Sequence, residues 1–217
     1  MSGSRGKFET HDLPVSNAMN GYSDRINHAL AFAAKHHDQQ VRKGTRLPYV
    51  THAANVALIL TRYGCDETTV AAGILHDVVE DCVRAGWTHA MLESRIAEKF
   101  GSDVLGVVLA ITKRRIDDDG NEMDRDERNA DYLTRLSTAD DRARWVCAAD
   151  KVHNGNATLA DLRRTMDSGS VWGRFVGGRV ATVAWYRAVY DRLASDGFSA
   201  PIMTELFQTV EQLEAAD

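Results

Sequence analysis

The sequence contains few cysteines and prolines and has no long apolar run. Among its 217 residues are three cysteines and three prolines. Cys65, Cys82 and Cys147 are widely spaced and form no Cys-x-x-Cys pair, so we expect reduced thiols in a cytoplasmic protein. No apolar stretch approaches the roughly 20 residues that span a bilayer, and the polar N-terminus lacks the apolar core of a secretory signal. We therefore expect no membrane partner.

A strong excess of one charge is also absent. The formal net charge is −5 and the pI is about 5.9, which does not favour a nucleic-acid-binding protein. A phosphate-rich ligand would have to be bound by a local basic pocket or a metal. The chain is 44% hydrophobic and 26% charged, a balance that suits one globular domain with a real core.

The remaining pattern is helical. Apolar residues recur at helical spacing from Asp24 onward, and no period-2 strand is evident. We predict an all-α fold with one compact domain over 21–217, preceded by a flexible tail over 1–20 that is rich in Gly, Ser and Asn. The first predicted helix begins at Asp24, the second runs from about His52 to Tyr63, and the third covers about 67–81. The fourth lies between Thr88 and Gly101, and the fifth runs from a Ser102 cap to Thr112. The remaining helices are predicted at about 128–136, 138–163 and 179–195 and after Pro201. The predicted loops cover 38–50, 113–127 and 169–178.

The segment LHDVVED at 75–81 is the strongest local feature. On one helix, the adjacent side chains of His76 and Asp77 would lie about 100° apart and could share only an ion off the helix edge. Glu80 and Asp81 follow one turn later and would face the same cleft. Taken alone, the segment is equally consistent with a solvated acidic helix end and a metal site.

Two further residues favour the metal site. Asp150 lies within AADKVHN (148–154), where an unpaired buried carboxylate would be costly and a metal would supply a partner. His52 begins the helix after Tyr49; a single such histidine is more often a cap or a core residue. Two imidazoles and two carboxylates suit Mn²⁺, Fe²⁺ or Zn²⁺ better than Mg²⁺.

The order of these motifs resembles a known family. The sequence H…HD…D is the signature of HD-domain phosphohydrolases. More narrowly, FAAKHHDQQVRKGTRLPYVTHAANVA (32–57), AAGILHDVVED (71–81) and AADKVHN (148–154) resemble the hydrolase domain of Rel/Spo proteins and the small alarmone hydrolases. The resemblance spans about residues 24–195. The chain is shorter than the multidomain members, so we expect a single-domain hydrolase.

This resemblance implies hydrolysis of the 3′-pyrophosphate of guanosine tetra- or pentaphosphate, usually with Mn²⁺, with Zn²⁺ or Fe²⁺ as alternatives. The residues that it implies are the metal ligands His52, His76, Asp77 and Asp150, the water-activating pair Glu80 and Asp81, and the nucleotide contacts Arg42, Lys43 and Asn154. Lys113, Arg174 and Arg179 are added as candidate substrate contacts. Trp172 and Tyr186 could close the pocket with them, although helix packing would explain these aromatic residues equally well.

Two alternatives stay open at this stage. The chain could be an HD phosphohydrolase for another nucleotide, for example the 2′-phosphate of NADPH or a nucleoside phosphate. It could also be a helical binding or antitoxin-like module that acts by contact with a partner. A metal site flanked by two further carboxylates favours an enzyme, since no structural role requires both. The sequence leaves the oligomeric state open, a homo-oligomer included.

Overall fold

The computed structural model describes residues 22–84 and 86–217, and within them the fold is all-α, as predicted. The described residues contain no β-strand, only isolated β-bridges. The predicted tail at 1–20 lies outside the described residues. The helices are α1 (Asp24–His36), α2 (Val50–Arg62), α3 (Glu67–Leu75), α4 (Val78–Asp81), α5 (His89–Phe100), α6 (Ser102–Ile111), α7 (Arg125–Thr138), α8 (Asp141–Arg164), α9 (Ser168–Trp172), α10 (Gly178–Ser195) and α11 (Ile202–Ala215).

Capping residues explain most of the boundaries. Thr88 accepts a hydrogen bond from the backbone of Met91 and begins α5, as its sequence position predicts. Asp124 and Glu127 form a reciprocal capping box, which starts α7 earlier than the predicted residue 128. The predicted cap of α6 was wrong by one residue. Gly101 occupies that position with φ of +93°, a conformation that favours glycine.

The largest difference from the predicted helices concerns residues 67–81. The single helix expected there is two helices, α3 and α4, separated by a turn at His76 and Asp77. The segment 169–178 also contains a short helix, α9, begun by the Asp167 side chain, which accepts from the backbone of Ser170. Local polar side chains thus set boundaries that apolar periodicity alone does not reveal.

Helices α3 and α8 form the centre of the core. Every residue from Thr68 to Leu75 is buried, because α3 is surrounded by α1, α2, α6 and α8. Helix α8 packs against α2, α3, α6 and α11, and buries Val146, Ala149 and Val152 beside Asp150. This arrangement places a carboxylate in the interior, next to α2 and the turn after α3. Among the described residues, no helix has the length and apolar character required to cross a membrane.

Candidate metal centre and active site

The turn between α3 and α4 presents the His76 and Asp77 side chains to one point. His76 ends α3, and Asp77 precedes α4 with φ of −90° and ψ of −5°. The Nδ1 atom of His76 lies 2.8 Å from the carbonyl oxygen of Gly73. A carbonyl can only accept, so Nδ1 carries the hydrogen and Nε2 of the neutral ring is left with a lone pair. The turn therefore brings the neighbouring side chains of His76 and Asp77 together, whereas a continuous helix would hold them apart.

His52 and Asp150 approach the same point from α2 and α8. The Nε2 atom of His52 lies 3.3 Å from Nε2 of His76 and 3.2 Å from Oδ1 of Asp150. The ligand-type atoms of His52, His76 and Asp150 all lie within 4.8 Å of one another, and all three residues are buried. The Nδ1 atom of His52 lies 2.8 Å from Nδ1 of His153.

Asp77 completes this group. Its Oδ2 atom lies 3.0 Å from Nε2 of His76 and 3.3 Å from Nε2 of His52. The same oxygen accepts a hydrogen bond of 2.5 Å from the Tyr49 hydroxyl. Tyr49 was not predicted as a site residue, although it lies three residues before His52 in the segment 32–57 that resembles the family. Tyr49 lies edge-on to His52 and so packs against one candidate ligand while bonding another.

The charge balance of this group fits a divalent cation. Burial lowers the pKa of His76, but the Asp77 and Asp150 carboxylates outweigh it and raise this pKa well above its usual value. Burial raises the pKa of Asp150, yet Lys151 and His52 hold it well below the usual range. The site thus favours positive charge between its carboxylates. Two borderline imidazole donors and two carboxylate donors form a set suited to Mn²⁺, Fe²⁺ or Zn²⁺.

Glu80 and Asp81 lie beside the metal centre on α4, and each has a defined partner. The backbone N–H of Lys113 donates to Oε2 of Glu80 over 2.9 Å. Burial and the charge of Asp77 raise the pKa of Glu80 to about 7. Oδ2 of Asp81 accepts from Nε2 of Gln40 over 2.9 Å, and its pKa is also raised by burial and by Asp77. A carboxylate with a pKa near neutrality can accept a proton from water and return it.

Arg42 and Asn154 lie next to the centre on its other side. A guanidinium N–H of Arg42 donates to Oδ1 of Asn154 over 2.6 Å, and Nδ2 of Asn154 donates to Oδ1 of Asp150 over 2.5 Å. The Arg42 guanidinium also lies 5.7 Å from the ring centroid of Tyr49. Lys43 is exposed at the rim of the same cleft. The Arg42 side chain, from the loop between α1 and α2, is thus connected through Asn154 to the candidate metal ligand Asp150.

A cleft of about 890 Å³ contains the candidate ligands His76, Asp77 and Asp150 together with most of the other predicted site residues. Arg174 lines it but pairs with Asp161 over 2.5 Å and lies against Gly44. Tyr186 also lines the cleft, whereas Trp172 is buried in the core.

Arg179 does not lie among the residues that line the cleft. Its guanidinium donates to the carbonyl oxygens of Glu214 and Ala216, both over 2.6 Å, at the end of α11. These two hydrogen bonds cap the end of α11, a role favoured for a cation at a helix C-terminus. The structure therefore gives Arg179 a capping role and not the predicted substrate contact.

Four further cations line the cleft, and only Lys113 among them was predicted as a site residue. Lys113 places Nζ 3.9 Å from the ring centroid of Trp185 and donates to Asn129 over 2.9 Å. The cleft also contains Lys151, whose Nζ lies 2.6 Å from Oδ2 of Asp150, together with Arg125 and Arg128 on α7. The only sequence signal for the α7 pair was its position beside the acidic loop, which gave no reason to select it.

Comparison with known sequences shows which proteins this chain resembles. The profile described as an HD domain matches residues 29–167. The guanosine-3′,5′-bis(diphosphate) 3′-pyrophosphohydrolase MESH1 of Drosophila melanogaster is 33% identical over 79% of this chain and 86% of its own length. Its Xenopus tropicalis counterpart is 33% identical over 66% of this chain and 73% of its own length. A GTP pyrophosphokinase of Myxococcus xanthus is 32% identical over 60% of this chain but only 17% of its own length.

Comparison with solved structures agrees. A metazoan orthologue of SpoT, described as hydrolysing ppGpp, superposes with a TM-score of 0.68 at 29% identity, over 89% of this chain and 98% of that one. The similarity therefore extends over nearly the whole of that protein.

Proposed function

This chain belongs to the HD-domain family, and on that premise we propose that it hydrolyses the 3′-pyrophosphate of guanosine tetra- and pentaphosphate to GDP or GTP and pyrophosphate. One observation carries this function. Two buried imidazoles and two carboxylates converge at the base of a nucleotide-sized cleft, with the Glu80 carboxylate held beside them. A purely structural helical bundle has no need of this arrangement, because burying several ionisable groups is costly.

His52, His76, Asp77 and Asp150 would hold the metal. We assign Mn²⁺ as the resident ion, with Zn²⁺ or Fe²⁺ as alternatives that the same donors accept. A divalent ion in such a site polarises a phosphoryl oxygen and lowers the pKa of water. The Gly73 carbonyl and Tyr49 hold His76 and Asp77 in place, respectively, so the ligands are oriented before any ion binds.

Glu80 takes the proton of the attacking water. Its carboxylate is held by the Lys113 backbone N–H, and its pKa of about 7 suits proton transfer near neutral pH. The water oxygen bonds to the phosphorus attached to the ribose, and the bond from that phosphorus to the 3′-oxygen breaks. The departing oxygen needs one proton, which balances the proton that Glu80 accepts. Asp81, fixed by Gln40, orients the water or the carboxyl group of Glu80.

Arg42 and Asn154 hold the nucleoside. A planar guanidinium can stack on a base, and the Asn154 amide is within reach of the sugar or base edge when Arg42 turns toward the ligand. The substrate carries several negative charges and the protein carries a net charge of −5, so affinity has to arise from local cations and the metal rather than from long-range steering. The cytoplasmic location, the absence of a nucleic-acid partner and the oligomeric state stay predictions.

A panel of phosphorylated nucleotides tests this function. Purified protein with Mn²⁺ is offered guanosine and adenosine 3′,5′-bis(diphosphates), a nucleoside 3′-monophosphate and NADPH, with products separated by ion-exchange chromatography. We expect GDP and intact pyrophosphate from the guanosine substrate. Release of single phosphates, or preference for NADPH, would assign the site to another HD phosphohydrolase reaction. Absence of turnover with every substrate would favour the binding module instead.

A further inference from the structure

Three cations that line the cleft form no ion pair within the part of the chain that the structure describes. Among the described residues, no carboxylate lies within ion-pair distance of Lys113, Arg125 or Arg128, although all three line the cleft. The neighbouring Arg114 differs, since it pairs with both Asp118 and Asp131. We call Lys113, Arg125 and Arg128 the cationic wall.

Neutral groups hold the cationic wall in position. Lys113 lies over the face of Trp185 and donates to the Asn129 amide oxygen. Arg128 donates from Nε to the carbonyl oxygen of Asp124 over 3.2 Å. Arg125 lies against Gly177, where a Cβ atom would approach its guanidinium to 2.5 Å. These contacts orient the side chains without neutralising them, and Lys113 and the arginines keep hydrogen-bond donors available for an anion.

The cationic wall lies close to the reaction centre. The backbone N–H of Lys113 contacts Glu80, and Lys151, which pairs with Asp150, is near enough to repel the Lys113 ammonium. Burial and the charge of Lys151, with a smaller effect of Arg128, lower the pKa of Lys113 to about 8, although the Glu80 and Asp150 carboxylates act in the opposite direction. Like charges gathered in a half-buried cleft destabilise one another, and a bound anion relieves that repulsion.

The position of the nucleoside indicates which phosphate of the substrate would bind to the cationic wall. Arg42 and Asn154 come from the α1–α2 loop and α8, whereas the wall comes from the α6–α7 loop and α7. Glu80 is in contact with the wall through Lys113. A substrate whose base rests on Arg42 and whose reacting phosphorus lies beside Glu80 would extend its outer 3′-phosphate toward the wall.

We propose that the cationic wall binds the terminal phosphate of the 3′-pyrophosphate and holds the pyrophosphate product after the cut. This inference rests on the proposed function and adds to it a subsite for the pyrophosphate fragment. Such a site makes the enzyme favour 3′-pyrophosphates over 3′-monophosphates, because only the former reach the wall. It also makes pyrophosphate a product inhibitor stronger than orthophosphate.

Calorimetric titration of the Mn²⁺-loaded protein tests the proposal without requiring turnover. The titrants are inorganic pyrophosphate, orthophosphate and GDP, and the variants are Arg128→Gln, Arg125→Gln and the milder Arg128→Lys. Arg95→Gln, on the exposed face of α5, is the charge-matched control. We expect Arg128→Gln to weaken pyrophosphate binding about 10-fold, the effect of one charge-assisted hydrogen bond, and to leave GDP binding within about 2-fold. Arg128→Lys should lie between wild type and Arg128→Gln.

Two results would overturn the subsite. Equal loss of GDP and pyrophosphate affinity would mean that the cationic wall holds the 5′-phosphates. Unchanged affinity for both would mean that these cations only contribute surface charge.

Kinetic measurements separate failure of the subsite from failure of the proposed function. If the wild type does not hydrolyse the guanosine substrate but Arg128→Gln still loses pyrophosphate affinity, the activity is misassigned and the anion subsite stands.

Discussion

The side-chain amide of Asn154 donates a hydrogen bond of 2.5 Å to Oδ1 of Asp150, the same oxygen that lies 3.2 Å from Nε2 of His52. Asn154 in turn accepts from Arg42. Arg42, a predicted nucleotide contact, is therefore joined through the Asn154 amide to Asp150, a predicted metal ligand. This amide therefore links the predicted nucleoside side of the cleft to the candidate metal ligands.

Asp150→Asn should remove most of the bound metal. The amide lacks the charge that balances the cation and that pairs with Lys151 on the other oxygen. We expect a helical protein with less than stoichiometric metal and little activity, measured by elemental analysis and circular dichroism. Asp118→Asn, at an exposed loop position, is the matched control and should retain metal. Full retention of a tightly bound ion in Asp150→Asn would contradict the ligand assignment.

Glu80→Gln should preserve metal binding and lower kcat by about 10²–10⁴, the range for loss of a general acid–base group. The amide can still accept from the Lys113 N–H, so the local structure is expected to stay intact. Asp81→Asn should behave similarly or disturb the order of the site, because its partner Gln40 would lose a charged acceptor. Glu93→Gln on α5 controls for the charge change. Turnover of Glu80→Gln at the wild-type rate would assign water activation to another residue.

The pH profile should show one ionisation on its acid side. Glu80 acts only when ionised, and its pKa is raised to about 7 by burial and by Asp77. Turnover should therefore fall as the pH decreases through this region, about 10-fold per unit once the group is protonated. A bound cation lowers the pKa of a nearby carboxylate, so the limb of the metal-loaded enzyme should lie at or below this value. The limb should disappear in Glu80→Gln; its persistence there would show that another group controls it.

His153→Ala should weaken metal binding by about 10- to 100-fold, the cost commonly found when a partner of a ligating histidine is removed. For Nε2 of His52 to offer a lone pair, its Nδ1 must carry the hydrogen and donate to Nδ1 of His153. His153→Asn keeps an acceptor near that position and should restore part of the affinity. Titration with Mn²⁺ and ¹⁵N chemical shifts of the His52 ring in diamagnetic Zn²⁺-loaded protein measure the two effects. An unchanged His52 tautomer and affinity in His153→Ala would remove His153 from this role.

Arg42→Ala should raise KM more than it lowers kcat, because stacking on the base is made equally in the ground and transition states. The coupling through Asn154 adds a second expectation. Loss of Arg42 frees an acceptor of Asn154, which should alter metal affinity only slightly because Asn154 still donates to Asp150. Lys43→Ala, at the exposed rim, serves as the neighbouring control with a smaller effect on KM. A fall in kcat at unchanged KM would place Arg42 at the reacting phosphate.

Much of this molecule was determined by the sequence alone. Apolar periodicity and the lack of alternating strands predict an all-α fold, and the spaced motifs around His52, His76-Asp77 and Asp150 predict the residues that the structure brings within a few ångströms. These inferences succeed because helix periodicity and residue chemistry are local properties of the chain. Thr88 as a helix cap belongs to the same class.

Other features were decided only by the tertiary structure, because they depend on which segments meet. The break that turns His76 and Asp77 to one point arises where α3 ends in the packed core. The Tyr49 hydroxyl contacts Asp77, 28 residues later in the sequence, and Arg179 caps the end of α11, 35 and 37 residues later. Arg125 and Arg128 line the cleft only because packing brings α7 to it. An arginine in a sequence shows its charge but not its partner, and the free energy of a buried charge depends on that partner.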